Sequence, residues 1–99
     1  MAIEVFLRDE NGRTIDSVFG ANLAPLMPAI DDASSPCLRF IDPYGDTIFN
    51  QSQSALLCTE LLDRLESADG IDRGSLERVA ELLEQCRDGI HLYVWFVGD

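Results

Sequence analysis

The chain of 99 residues contains no lysine and only one histidine, His91, and these shortages exclude several kinds of function. Seven basic residues, all arginine, stand against 18 acidic residues, so the net charge is −11. A negative field of this size repels nucleic-acid phosphates and anionic lipids, and we expect neither nucleic acid nor a membrane as a partner. Genome composition, solubility or a halophilic source each explain the acidity, and a basic protein partner is its functional explanation.

Long apolar runs and targeting signals are also absent. No stretch approaches the roughly 18–20 apolar residues that span a bilayer, and the start MAIEVFLRDE lacks the basic and apolar regions of a signal peptide. Cys37, Cys58 and Cys86 form neither a C-x-x-C pair nor a metal-ligand spacing. We therefore expect a cytoplasmic protein with reduced thiols, in which Cys58 and Cys86 are core residues.

The sequence has no phosphate-binding loop, nucleophile elbow or zinc-protease motif. A thiol nucleophile would need His91 nearby and an electropositive setting, which an acidic chain does not favour. We predict no catalytic residue, no metal and no cofactor. The length corresponds to one small domain, residues 1–99.

Alternating apolar residues predict strands near both ends of the chain. Residues 2–8 alternate, and Asn11-Gly12 suits the positive φ values of a type I′ hairpin to an edge strand over 13–19. Residues 90–97 are apolar on both sides, which is typical of a central strand.

The middle of the chain is less regular. Apolar spacing in 20–36 predicts a short distorted helix ending near Ile30, or an apolar flap. Strands over 38–41 and 47–49 are predicted to form a hairpin. Its tip is Asp42-Pro43-Tyr44-Gly45, with Gly45 in the left-handed region.

Two amphipathic helices follow. The first is predicted over 51–67, opened by a capping box of Asn50 and Gln53 and stopped at Gly70. Its predicted buried residues are Leu57, Cys58, Leu61, Leu62 and Leu65.

The second helix is predicted over 73–87, with Asp72 as its cap and Gly89 as a left-handed residue after its end. Its predicted buried residues are Leu76, Val79, Ala80, Leu83 and Cys86. We therefore expect an α+β domain of two layers. A four- or five-stranded antiparallel or mixed sheet carries this helix pair on one face, and the last strand is central.

Acidic residues form a ridge along the helices. The second helix contributes Glu77, Glu81, Glu84 and Asp88, and the first contributes Glu60, Asp63 and Glu66. Such a ridge is typical of a solvated helix face, and its functional alternative is a docking surface for a basic protein.

The sheet face away from the helices is the other candidate surface. The predicted strands place Glu4, Phe6, Arg8, His91, Tyr93 and Trp95 there, and the hairpin adds Arg39 and Ile41. Aromatic side chains and arginine are enriched at protein interfaces. The alternatives are a face covered by residues 20–36, a homodimer, another protein partner, or a small-ligand site.

An enzymatic alternative centres on His91, Tyr93, Asp42 and Asp46, as a hydrolase or small-ligand site. It requires the hairpin tip to lie near the C-terminal strand. Neither the turn nor the strand accounts for Tyr44 and Asp46, which makes both of them candidates for contact with a partner.

The stretch IDPYGDTIFN (41–50), the leucine-rich helix pair and the terminal LYVWFVGD (92–99) together resemble a group of small acidic bacterial proteins. That group is frequent in GC-rich soil bacteria, and the resemblance implies no activity. In size, acidity and fold class the chain is more loosely similar to bacterial immunity proteins, which neutralise toxins by occluding them. The sequence thus favours a non-enzymatic protein-interaction domain. Its candidate interface residues are Arg8, Arg39, Tyr44, Asp46, His91, Tyr93, Trp95, Glu77, Glu81 and Glu84.

Overall fold

A computed structural model of the chain describes residues 2–67 and 72–98. Its elements, in chain order, are strand β1 (Ala2–Asp9), strand β2 (Thr14–Asn22), a first 3₁₀ helix (Ala24–Leu26), a second 3₁₀ helix (Leu38–Phe40), strand β3 (Asp46–Phe49), helix α1 (Gln51–Ser67), helix α2 (Arg73–Asp88) and strand β4 (Leu92–Val97).

The four strands form one antiparallel sheet in the order β2-β1-β4-β3. Strand β4 is interior, between β1 and β3. Helix α2 packs against β2, β1 and β4, and α1 packs against β4 and β3, so both helices cover the same face. The predicted α+β fold with a C-terminal helix pair and a central last strand is confirmed.

The core lies between the sheet and the helices. Ile3, Val5 and Leu7 alternate on the inner side of β1 and are fully buried. The inner residues of β4 continue this layer, and Phe96 meets Phe49 edge to face at 5.6 Å between ring centroids. All predicted core residues of α2 are buried.

Of the core positions predicted for α1, only the prediction for Leu62 is wrong, since 41% of its surface is exposed. It lies at the margin of the apolar stripe. All three cysteines are buried and unpaired, which confirms the predicted core positions of Cys58 and Cys86.

The β1–β2 hairpin forms where Asn11-Gly12 predicts it. Gly12 has φ 82°, and its N–H donates to the Asp9 carbonyl at 3.0 Å. The Asp9 carboxylate accepts the N–H groups of Asn11 and Arg13 at 2.9 Å. Asn11 keeps a negative φ, so this is a type I turn with a glycine bulge rather than the type I′ turn expected.

Both predicted helix starts are confirmed. The Asn50 and Gln53 side chains accept each other's backbone N–H at 2.9 and 3.0 Å, a complete capping box. Asp72 accepts the Ser75 N–H at 3.3 Å and so caps α2. The stop predicted at Gly70 lies outside the described residues.

The strand predicted over 38–41 does not form. These residues make the second 3₁₀ helix, and β3 pairs with β4 instead. A long-range contact contributes, because Glu60 on α1 accepts the N–H groups of Cys37 and Leu38 at 3.1–3.2 Å. The next three amides, up to Ile41, donate to nearby backbone carbonyls, so none of them needs a strand partner. Gly45, expected in the left-handed region, does not have a positive φ.

The segment over 20–36 also differs from the prediction. Strand β2 continues to Asn22, whose side chain accepts the Ala24 N–H at 3.2 Å and starts a single 3₁₀ turn. Pro28 lacks the N–H that a longer helix would need. Ile30, predicted to end a helix, is 67% exposed.

The end of α2 carries a further correction. Gly89 is extended, with φ −95° and ψ −176°, rather than left-handed. A Cβ there would come within 2.3 Å of Leu92 Cδ1, so close packing explains the glycine. The left-handed residue is His91 (φ 56°), and strand β4 therefore starts at Leu92 and leaves Ile90 78% exposed.

Candidate functional site

The sheet surface opposite the helices carries an aromatic patch. Register and alternation place on this surface, which we call the outer face, the side chains of Glu4, Phe6, Arg8, Thr14, Ser17, Phe19, Asp46, Ile48, Tyr93, Trp95 and Val97. Phe19 is 65% exposed and Ile48 is 46% exposed. Large exposed apolar side chains that are contiguous indicate an interaction surface.

The outer face is open in the part of the chain that the structure describes. Both 3₁₀ helices, which lie in the segment from residue 24 to 40, contact α1 on the helical side of the sheet. The alternative in which residues 20–36 cover this face is therefore wrong. Leu23 and Leu26 instead join the main core.

Arg8 lies against two rings of the aromatic patch. Its guanidinium carbon lies 4.4 Å from the ring centroid of Phe6 and 4.8 Å from that of Trp95. Its Nε donates to the Thr14 hydroxyl at 3.2 Å. Each exposed cation–π contact contributes about 0.5–1 kcal/mol, so Arg8 is held against the rings before any partner binds.

Phe19 extends the patch on β2. It lies two positions after Ser17, which pairs with Phe6, so strand alternation places it on the outer face. Its ring packs edge to face on Phe6 at 5.8 Å between centroids. A bulge follows at Gly20, which has φ 73°, and it returns Ala21 to the inner side.

The outer face has three rows across its strands. Glu4, Val97 and Asp46 form an acidic row at one end. The central row contains Ser17, Phe6, Trp95 and Ile48 and is apolar except at Ser17. Thr14, Arg8 and Tyr93 form a basic row at the other end.

The turn at 42–45 is fixed to the acidic end of the sheet. The Tyr44 N–H donates to the Asp42 carboxylate at 2.9 Å, and the Gly98 N–H donates to the Gly45 carbonyl at 2.8 Å. A Cβ on Gly98 would lie 2.3 Å from the Pro43 carbonyl oxygen, so this contact requires glycine. Tyr44 is 81% exposed beyond the turn.

The four residues of the enzymatic alternative do not come together. Asp46 pairs with Val97, six positions from His91, which corresponds to about 20 Å along extended strand. Asp42 is at the same end of the sheet as Asp46. His91 and Tyr93 do share a cleft of about 150 Å³ with the start of α1, and His91 Nδ1 lies 3.7 Å from the Glu10 carboxylate.

Arg39 is the one candidate arginine that the structure places elsewhere. It belongs to the second 3₁₀ helix, and its guanidinium lies 4.8 Å from the Phe40 ring centroid. Ile41, expected beside it on the open sheet face, is buried in the core. Both residues were assigned to the outer face only through the hairpin that does not form.

The acidic ridge is partly neutralised by arginine. Arg78 contacts Glu81 and also the Asp16 carboxylate at 3.2 Å. Arg87 contacts the neighbouring Asp88 at 2.9 Å. Glu77 and Glu81 are exposed as predicted and Glu84 is half-buried. The ridge thus presents less uncompensated charge than the sequence suggests.

Glu60 is the residue that the sequence prediction misplaced most clearly. It was expected on the wet face, yet only 8% of it is exposed. It borders a cleft of about 440 Å³ between α1 and residues 34–36, where Arg64 contacts Asp32 at 3.2 Å. The available signal was its position three residues after Leu57, at the edge of the apolar stripe.

The chemistry of the remaining candidate groups is limited. Burial raises the pKa of all three thiols, and for Cys37 the nearby Glu60 carboxylate raises it further. Thiols of this kind are poor nucleophiles at neutral pH. Within residues 2–67 and 72–98 no group of metal-ligating side chains is found, and no helix there is long and apolar enough to cross a membrane.

Comparisons of the chain with models of protein families, with curated proteins and with solved structures found no match.

Proposed function

We propose that this chain is a non-enzymatic protein-interaction domain that binds a protein partner through the outer face. The observation that supports the proposal is the open aromatic patch, in which Arg8 lies against Phe6 and Trp95. Tryptophan, tyrosine and arginine supply most of the binding energy at protein interfaces.

The patch is suited to binding because its side chains are already ordered. Arg8 has contacts with two rings and one hydroxyl, and Phe19 is held on Phe6. Ordering a rotamer-rich side chain at an interface costs about 0.5–1.5 kcal/mol. The contacts within the chain remove much of that cost for Arg8.

Among partners other than the chain itself, the charge favours a basic protein. The net charge of −11 attracts basic proteins over distances of about one Debye length, and the carboxylates of Glu4 and Asp46 border the patch. One concrete form of this function is an inhibitor that occludes a basic protein, as immunity proteins do with toxins. A cytoplasmic location fits this proposal.

The experiment compares two identical substitutions. Phe19→Asp places a charge on the outer face, and Phe40→Asp places it on the second 3₁₀ helix, where the native ring is 54% exposed. Circular dichroism first establishes that both variants fold. Size-exclusion chromatography with light scattering then measures every complex that the protein forms, alone or with its co-expressed genomic neighbours.

We expect Phe19→Asp to weaken such a complex at least about tenfold, because a buried unpaired carboxylate costs more than 1.4 kcal/mol. Phe40→Asp is expected to leave it within about twofold. Equal losses for both variants, or full retention by Phe19→Asp, would refute the assignment of the outer face.

A further inference from the structure

We propose that the partner bound on the outer face is a second copy of this chain, related by a two-fold axis that runs across the strands. The inference rests on the proposed function and names its partner. It is carried by the order of charges along the face, which is complementary to itself.

The first and third rows carry opposite charges, from Glu4 and Asp46 in one and from Arg8 in the other. The Glu10 carboxylate lies beyond Arg8, next to His91. Glu4 and Arg8 lie on the same strand, four residues apart, with Phe6 between them. That spacing is about 13 Å in an extended strand, too long for a direct ion pair within one copy. Arg8 contacts rings and a hydroxyl, and Glu4 is exposed.

A two-fold axis above the central row reverses the strand direction of the second copy. The central row then meets itself, so Trp95 packs near Trp95 and Phe6 near Phe6 of the other copy. The basic row of each copy lies over the acidic row of the other. Arg8 of each copy therefore faces Glu4 of the other, which gives two equivalent pairs, as an isologous interface requires.

The available area fits a weak dimer. Strands of nine, eight, six and four residues, spaced about 4.8 Å apart, give a face of roughly 19 by 23 Å. About 440 Å² per copy, or roughly 900 Å² in total, falls among the small interfaces of weak and transient complexes. Two sheets packed face to face also tolerate the angle of about 30° that their twist imposes.

The salt dependence of its affinity distinguishes a complex of two copies from a complex with a basic protein. Two copies with a net charge of −11 each repel at long range, and added salt screens that repulsion. The Arg8–Glu4 pairs buried between the copies are screened much less, so the homodimer is expected to become tighter between about 50 and 500 mM salt. A complex with a basic protein is expected to become weaker over the same range.

The test uses two single charge reversals and their mixture. In Arg8→Glu the new carboxylate faces Glu4 of the other copy, and in Glu4→Arg the new guanidinium faces Arg8. Each variant alone is expected to dimerise at least about tenfold more weakly than the wild type in sedimentation equilibrium. In the mixture every facing pair is opposite in charge, and a heterodimer at least as tight as the wild-type dimer is expected.

Net charge cannot produce this pattern. Arg8→Glu changes the net charge from −11 to −13 and Glu4→Arg changes it to −9, so the mixed dimer keeps the total of −22 of two wild-type copies. Net charge alone predicts that Glu4→Arg dimerises more tightly. Glu66→Arg, on the exposed side of α1, is the matched control with the same charge change, and it is expected not to weaken the dimer.

Three outcomes would overturn the inference: a wild-type monomer at all concentrations up to about 1 mM, single variants that dimerise like the wild type, or a mixture without heterodimer. If the wild type is monomeric but Phe19→Asp still removes a complex with another protein, the second copy fails as partner and the proposed function stands. If Phe19→Asp and Phe40→Asp behave alike in every complex, the proposed function fails as well.

Discussion

The contact between Glu60 and the start of the second 3₁₀ helix predicts that replacing Glu60 lowers the free energy of unfolding strongly. The carboxylate accepts the N–H groups of Cys37 at 3.2 Å and Leu38 at 3.1 Å, and it is almost fully buried. Glu60→Ala removes the acceptor and leaves two buried donors without a partner. Each unsatisfied buried donor costs about 1–3 kcal/mol.

The surroundings of Glu60 narrow the loss of unfolding free energy expected for Glu60→Ala. The cleft of about 440 Å³ beside Glu60 allows water to reach part of the vacated space, which places the sum for both donors near 2–4 kcal/mol. For a domain of this size, that loss lowers the melting temperature by about 10–20 °C. Glu60→Gln keeps one acceptor oxygen and is expected to lose about half as much.

The assay is urea unfolding followed by circular dichroism at neutral pH. Asp63→Ala is the matched control, because Asp63 lies on the same helix, is exposed and also borders the cleft. It is expected to change the free energy of unfolding by less than about 0.5 kcal/mol. If Glu60→Ala loses no more than Asp63→Ala, the hydrogen bonds do not hold the segment, and the account of why 38–41 is not a strand is wrong.

Three further predictions concern stability and reactivity. Gly98→Ala is expected to lower the melting temperature measured by calorimetry, because a Cβ there lies 2.3 Å from the Pro43 carbonyl oxygen; a variant as stable as the wild type would contradict that contact. The hydrogen bond from the Ser17 N–H, and then contact with Arg78, lower the pKa of Asp16 below 3.8 although partial burial raises it. The stabilisation by this carboxylate is thus present above pH 3.8 and lost as pH falls through its lowered pKa. Asp16→Asn is therefore expected to be less stable than the wild type at pH 7, with a difference in melting temperature that shrinks between about pH 5 and pH 2; a difference independent of pH would contradict it. The three buried thiols, whose pKa values burial raises, are expected to react with a disulfide reagent at pH 8 only at the rate of unfolding, and fast labelling of the folded protein would show that they are accessible.

Local signals in the sequence were sufficient for most of the fold. Asn50 with Gln53 and the cap at Asp72 placed both helix starts, because capping depends on residues three positions apart. The alternation in residues 90–97 placed β4 inside the sheet, because a strand apolar on both sides needs neighbours on both sides.

The errors arise where distant residues decide the backbone. The segment at 38–41 has the composition of a strand, but Glu60, more than 20 positions along the chain, accepts the N–H groups of Cys37 and Leu38 where the segment begins, and the next three amides donate to local carbonyls. Gly98 is a glycine because the Pro43 carbonyl of a distant segment approaches it closely, and periodicity carries no information about such a contact.

The candidate site was predictable where its residues follow from strand alternation, and not where they depend on elements that the structure lacks. Arg8, Tyr93 and Trp95 follow from strand alternation, and the structure places them together on the outer face. Phe19 joins them by the same alternation, two positions after Ser17, and was missed because residues 13–19 alternate poorly. Arg39 was assigned to the outer face through a hairpin that does not form. His91 was assigned to it through a strand predicted over 90–97, but β4 starts at Leu92, the residue after His91.

The most direct test of the outer face as a protein interface is the acrylamide quenching of Trp95 fluorescence. Trp95 is the only tryptophan and lies in the central row of the face, so its signal reports this surface alone. The account predicts that the quenching constant falls several-fold when the complex forms, whether with a second copy at high concentration or with another protein. A complex that forms while Trp95 stays as accessible to acrylamide as in the monomer would show that the partner binds elsewhere.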